Sequence, residues 1–183
     1  MWSKMYEALF NGPVITLADM LDARENRAAT QLELLLADPK ASLIVATMNI
    51  PGPIKSSDML KNVFETLIIE IEEVAKDTVP IANLYRNPPT GPEYFLVLPI
   101  DKYILKKRMV QIESSHPYGR LLDLDVLYLD EDSNQVVPVS RTELGLATRT
   151  CFVCGQPAKE CGRSRKHSMD ELYREIQKII EEE

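Results

Sequence analysis

Between residues 43 and 129 the chain alternates short apolar runs of strand length with amphipathic stretches of helix length, and their order admits few folds. Residues 43–47 form a short apolar run that Pro51-Gly52-Pro53 stops, which reads as a buried strand. From 56 to about 76 the spacing is helical, with Leu60, Phe64, Leu67, Ile68, Ile71 and Val74 on one side. Residues 81–85 and 94–98 read as strands, joined through the turn Asn87-Pro88-Pro89-Thr90-Gly91-Pro92. A helix over 101–114 and a long strand-like run over 121–129 complete the series. The order β-α-β-β-α-β predicts an α+β fold with a ferredoxin-like (split βαβ) sheet, which is also the core of many palm-type nucleotidyl transferases. Fold class alone does not give function.

A further helix precedes this core over 16–37, where Thr16 can cap and Asp19 stands as the acidic partner of a capping box. Its apolar face is expected to be Leu17, Leu21, Ala28, Leu32 and Leu35, with Arg24 and Gln31 on that face or its margin and Arg27 further round. Polar groups on a buried face must be paired, so these three either border a site or bond neighbouring backbone. After the core comes a tail rich in cysteine and arginine that closes with an amphipathic helix over 169–180. One domain over 1–183 is expected, with the N-terminal helix at 14–37, the α+β core at 42–130 and the tail at 149–183.

A chain of 183 residues with 45% hydrophobic content can bury a core of its own. No stretch approaches the ~20 apolar residues that span a bilayer, and Met1-Trp2-Ser3-Lys4-Met5-Tyr6 lacks an apolar run of signal-peptide length. Three cysteines, two of them in a Cys-x-x-Cys pair, argue for reduced thiols or a metal over a disulfide framework. The expected compartment is the cytoplasm. The net charge of −7 repels nucleic acid as a whole, yet Lys159, Arg163, Arg165 and Lys166 fall within eight residues. Such a patch suits a small polyanion better than a duplex. Neither nucleic acid nor a membrane is an expected partner.

The strongest local signal is His116-Pro117-Tyr118-Gly119-Arg120-Leu121-Leu122-Asp123-Leu124-Asp125-Val126. Side chains at i and i+2 of a strand share a face, about 6–7 Å apart, so Asp123 and Asp125 converge while Leu122, Leu124 and Val126 face the core. Two carboxylates side by side repel unless a proton or a cation sits between them. The pair reads either as a Mg²⁺ couple of the phosphoryl-transfer kind or as two solvated groups on an edge strand. Gly119 permits a close backbone approach to a ligand, Arg120 can clamp a phosphate, and His116 is a base or a structural residue.

Three other signals accompany it. Asn49-Ile50-Pro51-Gly52-Pro53-Ile54-Lys55-Ser56 joins a strand to a helix start, where free N–H groups and Lys55 favour an anion; alternatively it is a rigid turn with Ser56 as cap. Arg24, Arg27 and Gln31 mark the first helix. Cys151-x2-Cys154-x6-Cys161-x5-His167 offers the four ligands of a closed Cys3His zinc site, or a loop of reduced thiols. Arg149, Arg163 and Arg165 flank it.

Taken together, these segments resemble the apo-citrate lyase phosphoribosyl-dephospho-CoA transferases, or holo-citrate lyase synthases, over about residues 14–172. The resemblance rests on Arg24-Glu25-x-Arg27-x3-Gln31, on the Asn49 to Lys55 loop, on the His116 to Val126 segment and on Ser140-Arg141. It rests also on Arg149-x-Cys151-x2-Cys154 and Cys161-x-Arg163-Ser164-Arg165-x-His167, with Gly162 where alanine is expected. It implies transfer from 2′-(5″-triphosphoribosyl)-3′-dephospho-CoA to a serine of the citrate lyase acyl carrier (gamma) subunit, with pyrophosphate leaving. It implies Mg²⁺ at Asp123 and Asp125, phosphate contacts from Arg120, Lys55, Arg163 and Arg165, and help from His116 in deprotonating the serine. Arg24, Arg27, Gln31, Arg141 and Arg149 would then border the substrate. The rival reading is a non-catalytic binding module whose zinc-organised tail presents a protein-interaction surface.

Overall fold

A computed structural model describes residues 4–181; Met1, Trp2 and Ser3 of the opening segment lie outside the described residues. Five strands, β1 (Ser42–Met48), β2 (Ala82–Arg86), β3 (Glu93–Leu98), β4 (Leu122–Asp130) and β5 (Gln135–Pro138), form one antiparallel sheet in the order β2-β3-β1-β4-β5. The first four reproduce the ferredoxin-like arrangement that the element order predicts. β5 is an addition on the edge, a strand of four residues that is too short to stand out in the sequence.

The helices are α1 (Lys4–Leu9), α2 (Leu17–Ala37), α3 (Asp58–Val74), α4 (Lys102–Ser115), α5 (Ala158–Ser164) and α6 (Met169–Glu181). Strand alternation divides the core in two. Ile44, Ala46, Leu96, Leu98, Leu124 and Val126 point to the face covered by α3 and α4, where α1 and α6 also pack. Leu43, Val45, Phe95, Val97, Leu127 and Leu129 point to the other, where Leu35 of α2 meets them. On α3 the apolar stripe is as the spacing predicts: Leu60, Phe64, Leu67 and Ile71 are buried, with Ile68 and Val74 packed against them. Its cap is Ser57, whose Oγ accepts from the N–H of Leu60 at 3.2 Å; the expected Ser56 lies one residue too early. Thr16 caps α2 in the full capping box with Asp19.

The inward face of α2 departs from expectation. Leu35 is buried, but Leu17, Leu21 and Leu32 of the expected core face are exposed at 76%, 49% and 39%, and Ala28 is exposed as well. Ala23, Arg27, Thr30, Gln31 and Leu34 are the half-buried side. The cause is the floor beneath the helix. Glu93 and Arg86 stand on that end of the sheet; Arg27 and Arg86 pair the Glu93 carboxylate, and Thr30 accepts from Arg86 Nη1. Pairing a buried carboxylate outweighs turning a few more leucines inward.

Candidate active site

Asp123 and Asp125 lie on the α2 side of β4, each with part of its side chain exposed, while Leu122, Leu124 and Val126 are buried beneath. Across the sheet Asp123 is level with Thr47, Thr47 with Glu93, and Glu93 with Arg86. In-register residues share a face, so one polar row crosses the sheet under α2. Glu93 is buried and takes an arginine on each oxygen: Arg27 Nε at 2.8 Å on Oε1, and Arg86 Nη2 at 2.7 Å on Oε2. Arg86 also lies over the Phe95 ring, 4.7 Å from its centroid. Beside this row a cavity of about 700 Å³ opens between α2 and the 87–90 turn, with Asp19, Asp22 and Asn26 on its wall.

The two aspartates differ. Asp123 forms an ion pair with Arg149, Nη1 to Oδ1 at 3.3 Å. No hydrogen bond reaches the Asp125 carboxylate among the described residues, and its carboxyl is held above the ordinary range. Loss of water around it is the main cause and the Asp123 charge the next, with Lys106 and Arg149 opposing. Such a group favours a proton or a cation at its side.

Behind the pair, the outer edge of β4 is closed by side chains. β5 pairs only Leu127 to Asp130. Upstream of it the N–H of Leu124 donates to Glu113 Oε1 at 2.9 Å, the C=O of Leu124 accepts from Lys106 Nζ at 2.8 Å, and the C=O of Leu122 accepts from Arg149 Nη2. Glu113 is paired with Arg141 and lies 3.7 Å from Arg149. Glu113 and Lys106 are buried and were not foreseen. A signal existed: they fall on the buried stripe of Leu105, Met109 and Ile112, where a charge needs a reason.

The remaining candidates divide. Arg149 and Arg141 are committed to the network just described. Gln31 is half-buried on the sheet side of α2. Arg120 donates to the C=O of Thr150 at 3.3 Å and lies near the Phe152 ring, so it ties the tail to the end of β4. Lys55 turns inward, its Nζ on the C=O of Ile50 at 2.5 Å, and burial pulls its pKa down. His116 Nδ1 accepts from the N–H of Tyr118 at 3.0 Å and caps a 3-10 turn, Pro117–Leu121; in the neutral ring the proton is therefore on Nε2. Gly119 serves a close approach to α4 and not to a ligand, since a Cβ there would sit 2.3 Å from the C=O oxygen of Ile112. Arg24, Arg163 and Arg165 are exposed, with no ion pair among the described residues.

The tail gathers its four soft ligands. The ligand atoms of Cys151, Cys154, Cys161 and His167 all lie within 4.8 Å of one another. Cys154 Sγ is 3.5 Å from Cys161 Sγ and 3.2 Å from His167 Nε2. Tetrahedral zinc, with Zn–S of about 2.3 Å and Zn–N of about 2.0 Å, spaces its ligands by roughly 3.5–3.8 Å, so the set can hold a metal such as zinc. The Cys154 thiol is pulled down to about 6, first by the N–H of Gln156 and then by His167 and Cys161. Burial pushes Cys161 up to about 11.

A sequence model of the apo-citrate lyase phosphoribosyl-dephospho-CoA transferases matches residues 15–183. The chain belongs to that family. A Streptococcus pyogenes serotype M18 protein named probable apo-citrate lyase phosphoribosyl-dephospho-CoA transferase is 44% identical over 95% of this chain and 90% of its own length. A Citrobacter koseri protein named apo-citrate lyase phosphoribosyl-dephospho-CoA transferase is 29% identical over 91% of this chain and 88% of its own. In Leuconostoc mesenteroides subsp. cremoris the similarity, 38% over 92% of this chain, falls within a longer protein named CitXG and covers 36% of it. Among the described residues no helix is long and apolar enough to cross a membrane.

Proposed function

We propose that the chain transfers the phosphoribosyl-dephospho-CoA group from 2′-(5″-triphosphoribosyl)-3′-dephospho-CoA to a serine of the acyl carrier (gamma) subunit of citrate lyase, in the cytoplasm. The serine oxygen attacks the phosphorus attached to the ribose as its proton passes to water, the bond to the outer two phosphates breaks, and pyrophosphate leaves with that electron pair. The observation that carries this reading is the carboxylate pair of β4: among the described residues no hydrogen bond reaches Asp125, whose pKa is raised, while Asp123 beside it is held by Arg149. Mg²⁺ held by Asp123 and Asp125 would supply positive charge to the triphosphate oxygens as negative charge moves onto them. Arg149 fixes the Asp123 carboxylate, and Glu113 with Arg141 fixes Arg149, so the site is oriented before the donor arrives. Arg163 and Arg165 are cations free to meet phosphates, as Arg24 is on α2.

Cys151, Cys154, Cys161 and His167 hold zinc as a closed structural site in this reading, which ties the tail to the end of the sheet through Arg120. The test is the intact mass of the carrier subunit before and after incubation with enzyme, Mg²⁺ and donor. A gain equal to the phosphoribosyl-dephospho-CoA group, with one pyrophosphate released for each, is expected. An unchanged mass would remove the transfer and favour a binding module.

A further inference from the structure

Between the loop after β1 and the tail lies a cavity of about 570 Å³, within the range of small-molecule sites. Phe152, Met169 and Leu172 give it apolar walls, and Asn49, Thr150 and Arg165 bring polar groups to it. Flat apolar faces with a polar edge describe a purine base, which aromatic side chains take by stacking. A pantetheine arm is a flexible chain of amides and has no flat face to lay on the Phe152 ring.

Its position is as informative as its lining. Thr150, on the wall, follows directly on Arg149, whose guanidinium holds Asp123. Arg120 reaches Thr150 at 3.3 Å and stands 5.9 Å from the centre of the Phe152 ring. Neither arginine lines the cavity, but each adjoins a residue that does, Arg120 through Thr150 and Phe152 and Arg149 as the residue before Thr150, so the route from the cavity toward β4 runs past them. Cys151, Cys161 and His167 contribute to the same walls, so the metal-binding cluster also shapes the chamber.

We infer that this cavity is the subsite for the adenine nucleoside of the donor, with the base against Phe152 and its sugar end toward Arg120 and Arg149. The inference rests on the donor proposed above, and its test is separate from transfer. Gly162 lines the cavity, and a Cβ built on it meets nothing within 4 Å, so a larger side chain can be placed at this wall without a clash at its first carbon.

The experiment is calorimetric titration of the full-length protein with dephospho-CoA, with AMP and 4′-phosphopantetheine as competitors. Dephospho-CoA should bind, AMP should compete, and 4′-phosphopantetheine should not. Gly162→Leu should weaken dephospho-CoA at least ~10-fold by occupying the subsite, with Tm retained. Phe152→Leu, which keeps an apolar wall but removes the ring, should weaken it by about 10-fold, the scale of a lost base stack. Unchanged affinity in both variants, or competition by 4′-phosphopantetheine and not by AMP, overturns the assignment. If the carrier never gains mass while these binding results hold, the transfer reading falls and the nucleoside subsite stands. If the carrier gains mass at the same rate in both variants, the subsite falls and the transfer stands.

Discussion

Asp125 is the residue whose surroundings say most about its task, and its pKa gives a test with a definite sign. The fold raises its carboxyl above the ordinary 3.8, so ionising it costs stability. That penalty is absent below the ordinary value, grows as pH rises through the raised one, and is complete above it. Asp125→Asn is therefore expected to raise Tm at neutral pH, with the gain vanishing toward pH 3, while transfer falls by at least ~10²-fold. Asp123→Asn should lose transfer on the same scale without the gain in Tm, because it gives up an ion pair to Arg149. Melting curves across pH, paired with turnover, check both; near-wild-type turnover in either variant removes the pair from the mechanism. His116 offers a contrast. Its Nδ1 already accepts the Tyr118 N–H, so serving as a base at that atom would cost the turn its cap. Asparagine can cap in its place. His116→Asn is expected to keep transfer within ~10-fold, and a loss of ~10²-fold or more would restore the histidine to proton transfer. The carboxylate pair was legible from i, i+2 spacing alone. The difference between its members was not, since it comes from the loss of water around Asp125 and from the Arg149 ion pair at Asp123, both set by residues distant in sequence.

Among elements, α4 does the least expected work. The sequence marks only a helix over 101–114, yet it closes the edge of β4 with Lys106 and Glu113. Glu113→Gln keeps one acceptor for the Leu124 N–H but takes the counter-charge from Arg141 and leaves Arg149 with Asp123 alone. Breaking a buried pair on one side costs about 3–5 kcal/mol, so the urea midpoint should fall markedly; a loss below ~1 kcal/mol would mean that the network contributes little. Sequence periodicity succeeded on α3 and misled on α2 for one reason. It finds the apolar stripe and assumes that this stripe faces the core, which holds only where the floor is apolar. Under α2 the floor holds Glu93 and Arg86, so Arg27 and Thr30 turn inward and Leu17 and Leu21 outward. The tail gathers its ligands as the spacing suggested, and it should carry about one zinc per chain by metal analysis. Removing the metal should make segment 149–168 open to protease before the sheet unfolds. Three thiols that titrate freely in the native, metal-free protein would refute the site.

At the scale of the whole molecule, the order of strands and the two-faced core follow from a few apolar runs, because β-α-β-β-α-β connections leave little choice of sheet. What the sequence hid was electrostatic: which charges are buried, and against what. The same distinction governs substrate capture. A chain of net charge −7 repels a triphosphate at long range, so the local cations Arg163 and Arg165 must act at short range. If they hold the leaving pyrophosphate, alanine at either should lower kcat and kcat/KM together. If they dock the carrier, KM for the carrier alone should rise, and the defect should shrink with added salt. Unchanged kinetics in both variants would remove the tail from either role. The closed edge of β4 matters beyond the site as well. An unpaired strand edge is a template on which another chain can add, and β5 shields only the last four residues of a nine-residue strand. Lys106, Glu113 and Arg149 take up the backbone groups that a foreign strand would seek, so the charges that orient Asp123 also keep molecules of this protein from joining edge to edge.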